Sequence, residues 1–416
     1  MAGSDLTQVN AGFLPLLDSA ILVAAREKGF AEDEHIGLRL IRETSWANIR
    51  DRMAVGHFEM AHMLGPMPIA GSLGLTPLSL DVVAPMALGL GGNAVTVSRR
   101  LAAAIAADAE NTDAAVLSLD AFSAGEHLAR IIAQGRVEGL PPLSFAVVHP
   151  YSAHNYDLRY WLAASGIDPE RDVQIVVVPP PLMADALQSG RIDGFCVGEP
   201  WSSVAVQLGA GVILTTKSAI WRSSPEKVLG VSAVFARDYP DILAGLLRGL
   251  YRAAEWCGQP ENHDELAGLL ARPDYIGQDI SVMLPALRGR LPLGNGATSD
   301  VPDFFLPFDK AATFPWKSHA LWFYSQMVRW GHATWSLEYA ARAAETYRPD
   351  LYRAAIAPLG APVPSANSKV EGALDTQTSA GASDGSLVLG PDGFFDNKIF
   401  DPDLIEGYVL GQKPAL

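Results

Sequence analysis

"SFAVVHPYSAHNYDLRYWLAASGIDPERDVQIVVVPPPLM", residues 144–183, reads as strand, loop, helix and strand. SFAVVH (144–149) and VQIVVVP (173–179) are short apolar runs with the β-branched content of buried strands. Between them a helix is expected over 154–165, heavy with aromatics. Two strands joined by one helix are expected to lie parallel in one sheet. The Pro-Ser-His-Asn loop between the first strand and the helix ends at a helix N-terminus, where small anions are readily held. Three prolines, Pro179 to Pro181, then fix a rigid extended exit.

The same alternation extends in both directions. A strand over Val9–Leu14 runs into a helix over Ser19–Lys28, with Gly29 as its C-cap glycine. IGLRLIRE alternates like a strand, and Ser45 is placed to cap a helix with apolar Trp46, Ile49 and Met53. Further strands are expected at FEMAHML, LSLDVVAPMAL, AAVLSL (114–119), 192–197 and 228–235, and further helices at 122–134 and about 181–189. Beyond residue 235 helices dominate, at 238–257, 261–270, 317–330 and 336–346. The fold class expected is α/β with a parallel sheet in each of two lobes around a ligand cleft, with helical C-terminal additions. The expected division is lobe 1 over 5–93, lobe 2 over 94–222, and a return to lobe 1 with a helical region over 223–357. Residues 358–391, rich in Ala, Ser, Gly and Pro, read as a flexible segment, and 392–416 as a docking tail.

The chain has 416 residues, enough for two cores. A net charge of −15 argues against broad binding to nucleic acid or to an anionic membrane, though a local cluster of donors can still hold a small anion. Cys196 and Cys257 make neither a metal-ligand spacing nor a disulfide framework. There is no phosphate loop, no GxSxG and no HExxH, so neither catalytic nor metal residues are assigned and no cofactor is called for. The apolar run 12–25 is interrupted by Pro15 and Asp18, and the first basic residue is Arg26, so no secretory leader is read and a cytoplasmic location is expected.

Four residues on strand–helix loops could serve an anion: Trp46, Asn93, His154 and Lys227. Each has a plainer reading taken alone: a core tryptophan, a turn asparagine, a structural histidine and a solvated lysine. Gly92, Pro181, Gly198 and Glu199 fall where a cleft rim is expected.

SWANIRDRM, HNYDLRYWLAASGIDPERDVQIVVVPPPLM, DGFCVGEPW, PEKVLGV, FPWKSHALWF and DPDLIEGY, in that order, resemble the nitrate-binding proteins of ABC uptake systems and their bicarbonate-binding relatives. The resemblance implies the periplasmic-binding-protein type II fold and a non-enzymatic role. It also implies that nitrate or nitrite is held by Trp46, His154, Lys227 and, where the family has glutamine, Asn93. Asparagine is still an amide donor but one methylene shorter. Among relatives, a chain starting this near its first strand resembles the cytoplasmic nitrate/nitrite sensor, whose ligand-free form sequesters an RNA-binding antiterminator of the ANTAR class. That implies an antiterminator partner and no direct contact with nucleic acid or membrane. The other reading is a solute-binding protein for nitrate or bicarbonate uptake.

Overall fold

The computed structural model describes residues 6–111, 119–294 and 296–412; the strand expected at 114–119 lies, apart from Leu119, outside them. Ten strands form two five-stranded sheets. They are β1 (Thr7–Phe13), β2 (Ile36–Arg42), β3 (Met60–Leu64), β4 (Val82–Ala87) and β5 (Asn93–Ser98), then β6 (Leu143–Val147), β7 (Val173–Val177), β8 (Gly194–Gly198), β9 (Gly211–Thr216) and β10 (Lys227–Ser232). The first sheet has the order β2-β1-β3-β10-β4 and the second the order β9-β5-β8-β6-β7.

Neither sheet is wholly parallel, which corrects the expectation from sequence. β1 runs parallel to β2 and β3, but β10 is antiparallel to both of its neighbours. Likewise β6 runs parallel to β7 and β8, while β5 is antiparallel to both β8 and β9. The reversed strand in each sheet is the one by which the chain arrives from the other sheet. Such a strand starts at the end facing the other sheet, where its neighbours finish. Asn93, the first residue of β5, therefore pairs with Gly198, the last of β8. Lys227, the first of β10, pairs with Leu64, the last of β3.

All five residues of β3 are buried, as a central strand covered on both faces requires. Helix α1 (Ala20–Glu27) and α4 (Pro240–Gly258) pack together on one face of the first sheet, α4 burying Leu243, Leu246, Leu247 and Leu250. Between them in sequence come α2 (Trp46–Ala54) and α3 (Ala153–Ala164). The α4 helix begins at Pro240, whose fixed φ suits a first helical position. No helix among the described residues is long and apolar enough to cross a membrane.

Residues 358–391, expected to be flexible, carry a hairpin of β11 (Thr378–Gly381) and β12 (Ser386–Leu389). Composition hid the charges that hold the segment down. Glu371 is fully buried and accepts from Ser318 Oγ at 2.6 Å, while Lys369 pairs with Glu371 and, at 2.7 Å, with Asp392. Ser318 lies on α5 (Lys317–Arg329). The tail then lays Phe394 on Trp221, ring centroids 4.5 Å apart and 18° from parallel, and ends in α6 (Ile405–Gln412). Tyr160 of α3 donates to the Asp396 carboxylate at 2.9 Å, so the tail grips a helix of the second sheet as well as α5.

Candidate functional site

The strand ends that face one another bring Asn93, Gly198 and Lys227 to one place. Trp46 and His154 reach the same place from helix starts. Ser45 caps α2 by accepting from the Asn48 N–H at 3.2 Å, which fixes Trp46 as the first helical residue. Ser152 caps α3 by accepting from the Asn155 N–H at 3.1 Å, and His154 follows on the first turn. Trp46, Asn93, His154 and Lys227 are all buried, none more than 1 % exposed.

The carboxylate of Glu226 ties most of this set together. One oxygen accepts from Lys227 Nζ at 2.7 Å and lies 3.4 Å from His154 Nδ1. The other accepts from Asn93 Nδ2 at 2.6 Å and from Lys217 Nζ at 2.5 Å. Lys227 also donates to Asp18 at 2.8 Å, and Lys217 pairs with Asp157 at 2.7 Å. His62 Nε2 lies 2.9 Å from the other Asp18 oxygen. The Lys227 ammonium sits 5.4 Å from the centre of the Trp46 ring, and His62 meets that ring edge-on at 5.2 Å. Among the buried polar atoms with no hydrogen-bond partner in the described residues are Trp46 Nε1, Asn93 Oδ1 and His154 Nε2.

Burial and charge pull these groups apart in acidity. Burial pushes His154 down to about 3, against the pull of Glu226, so its imidazole is neutral; burial also lowers His62, against the pull of Asp18. Burial would raise Asp18, but Lys227 and then His62 outweigh it and hold the carboxyl at about 2. Burial would also raise Glu226, but His154, Lys217 and Lys227 outweigh it and hold it well below the usual carboxylate range. Asp157 goes the other way: burial, helped by the nearby Glu226 charge, lifts it to about 7 against Lys217. Burial lowers Lys217, but Asp157 and Glu226 outweigh it and raise it. The site thus combines two ammonium groups, an amide, an indole N–H and two neutral imidazoles with three carboxylates, far from bulk water.

The residues expected on a rim are placed differently. Gly198 is inside: a Cβ there would come within 3.1 Å of Asn93 Oδ1 and 3.3 Å of Leu16. Gly92 adopts φ +88°, its carbonyl accepting from the Glu199 N–H at 3.0 Å. Glu199 is fully buried, a correction with a simple cause. Its backbone is clamped between Gly92 and the Leu17 N–H, and its side chain turns under a helix start to accept from the Ser203 N–H at 3.1 Å. Burial raises the Glu199 carboxyl to about 7, against the Ser203 hydrogen bond. Pro181 stands on the turn after the edge strand β7, two strands from β8.

Sequence reading missed Asp18, His62, Asp157, Lys217 and Glu226. For three of them the signal is present: Asp18, His62 and Lys217 each lie inside or just beyond an apolar run, as in LLDSAIL, MAHML and GVILTTK. Such a residue is rarely buried unless paired. Both cysteines are free and buried.

A model of the NMT1-like family matches residues 2–271. The nitrate/nitrite binding protein NrtA of Synechococcus elongatus is 31% identical over 426 residues, covering 99% of this chain and 88% of that protein. The nitrate import ATP-binding protein NrtC of Synechocystis is 35% identical over 369 residues, covering 87% of this chain but only 52% of NrtC, so the chain spans about half of that relative. In three dimensions the chain superposes on the crystal structure of the periplasmic nitrate-binding protein NrtA from Synechocystis PCC 6803 with a TM-score of 0.85, at 26% identity over 99% of both chains. The fold is accordingly that of the periplasmic binding proteins. Since the full-length structural relative is periplasmic, the cytoplasmic location expected from the first residues is overturned.

Proposed function

Because this chain belongs to the NMT1-like family, we propose that it is the receptor of an ABC importer, binding nitrate or nitrite between its two sheets and delivering it to the membrane and ATP-binding components. It is a binding protein and not an enzyme. The observation that carries the ligand is the convergence of Asn93, His154 and Lys227 on one planar carboxylate, with Trp46 against the Lys227 ammonium. Nitrate is likewise flat, carries one negative charge and accepts hydrogen bonds without donating any, so it suits N–H donors in a dry site. Trp46 Nε1 offers a further donor that is unused among the described residues. Hydrogen carbonate differs by a hydroxyl that needs an acceptor, which Asn93 Oδ1 could supply. The relatives favour this receptor reading over a sensor that sequesters an antiterminator.

Calorimetric titration of the purified protein with nitrate, nitrite and hydrogen carbonate tests the reading. Saturable binding of nitrate or nitrite supports it. Binding of hydrogen carbonate alone moves the receptor to bicarbonate uptake, and no binding of any of the three sinks it.

A further inference from the structure

The receptor reading leaves a problem of charge. Asp18, Asp157 and Glu226 are all buried and, among the described residues, pair with two ammonium groups, Lys217 and Lys227. Both lysines already bridge two carboxylates each. Asn93 Nδ2 is spent on Glu226 as well. An entering monoanion would find Asn93 and both lysines occupied, with Trp46 Nε1 left free, and would add a charge to a cluster that has no cation to spare among the described residues. In so dry a site a like charge a few ångströms away is costly.

We propose that Glu226 is the resident counter-anion of this site, and that an entering oxyanion takes over its donors while the carboxylate cluster takes up one proton from solvent. The proton goes to the adjoining Asp157 and Glu226 carboxylates, which share Lys217. The remaining groups facing this pair are Asp18 and His62 from the first sheet side, His154 on α3, Lys227 on β10, Cys196 on β8 and Tyr347. Cys196 is pushed well up by burial and Tyr347 is raised by burial too, so both are neutral, as is His154. The carboxylates are thus the groups able to absorb the charge, and Asp157, lifted to about 7, takes a proton most easily. Glu226 thereby sets selectivity: a ligand must make better use of Asn93, Lys217 and Lys227 than a carboxylate already in place.

This inference rests on the receptor reading, and one set of titrations separates the two. Nitrate binding to the full-length protein is measured by calorimetry at pH 8 in two buffers of different ionisation enthalpy, which counts protons. The wild type is expected to take up close to one proton per nitrate, with affinity falling about tenfold per pH unit above 7. Glu226→Gln, isosteric but able to accept from only one of the two lysines, is expected to bind nitrate at least tenfold more tightly at pH 8 with no proton uptake. Nitrate binding by the wild type without proton uptake overturns the inference and leaves the receptor standing, whether or not the variant folds. So does a folded Glu226→Gln that binds no more tightly. Failure of both proteins to bind any oxyanion sinks the receptor reading and the inference together. Binding by Glu226→Gln alone overturns the inference, since the resident carboxylate is then never displaced in the wild type.

Discussion

Trp46 and Lys227 meet across the sequence with the ammonium 5.4 Å from the indole ring centre, while the indole Nε1 of Trp46 has no hydrogen-bond partner among the described residues. The ring contributes to the fold and its N–H does not. Trp46→Phe keeps most of the ring and removes only the N–H. Nitrate affinity is expected to fall by roughly tenfold, the worth of a charge-assisted hydrogen bond, with the thermal midpoint nearly unchanged. A large drop in thermal midpoint would mean that Trp46 is chiefly a core residue.

Lys227 holds two buried carboxylates, Asp18 and Glu226. Lys227→Met leaves both short of a partner and is expected to cost about 3–5 kcal/mol, read by urea denaturation. Adding Asp18→Asn is expected to restore part of that loss. Stability additive across the two substitutions would show that the pair is not coupled.

Glu199 gives a pH test away from the anion donors. Its carboxyl is raised to about 7, so it stabilises the fold while protonated, and that contribution is lost as pH rises through 7. Glu199→Gln cannot titrate. Its stability relative to wild type is expected to improve by about 2 kcal/mol between pH 5.5 and 8. A constant gap across that range would place the carboxyl at an ordinary acidity.

The tail tests how far the site depends on distant packing. Phe394 stacks on Trp221, and Trp221 directly follows the short helix Lys217–Ile220 that begins with a site lysine. Phe394→Ala is expected to cost about 3–5 kcal/mol and to weaken nitrate binding as Lys217 loses its fixed position. Unchanged affinity in the folded variant would confine the tail to stability.

Much of the architecture is legible in the sequence. Ser45 and the apolar spacing after it lead to the helix found at Trp46–Ala54, and strand boundaries such as VQIVV fall where β-branched runs put them. Strand direction is not legible, because an apolar run reads the same both ways; only the crossover shows that β5 and β10 must start where their neighbours end. Of the candidate site, the residues at element starts are the legible part. Trp46 and His154 sit at helix starts and Asn93 and Lys227 at strand starts, where local pattern points. Glu226 was masked by its neighbour Lys227, since adjacent opposite charges usually mean a solvated loop. Asp18 was read only as a break in an apolar run. Both are explained by pairing with groups 209 residues or 133 residues away, as in Lys227 with Asp18 and Asn93 with Glu226. The 358–391 segment misled for the same reason: its composition is that of a linker, and its anchors are single charges.

The place of β10 in the first sheet also sets an order of events at the ribosome. Strand β4 borders only β10 in that sheet, so until residues 227–232 have been made β4 has no strand to join. The strands β5 to β9, by contrast, are complete once Thr216 has emerged, and they need nothing from later in the chain to pair. The second sheet can therefore be assembled during synthesis while the first waits with an open edge. The residue that closes that edge is Lys227, so the nascent chain completes its first sheet and its charge cluster in the same step.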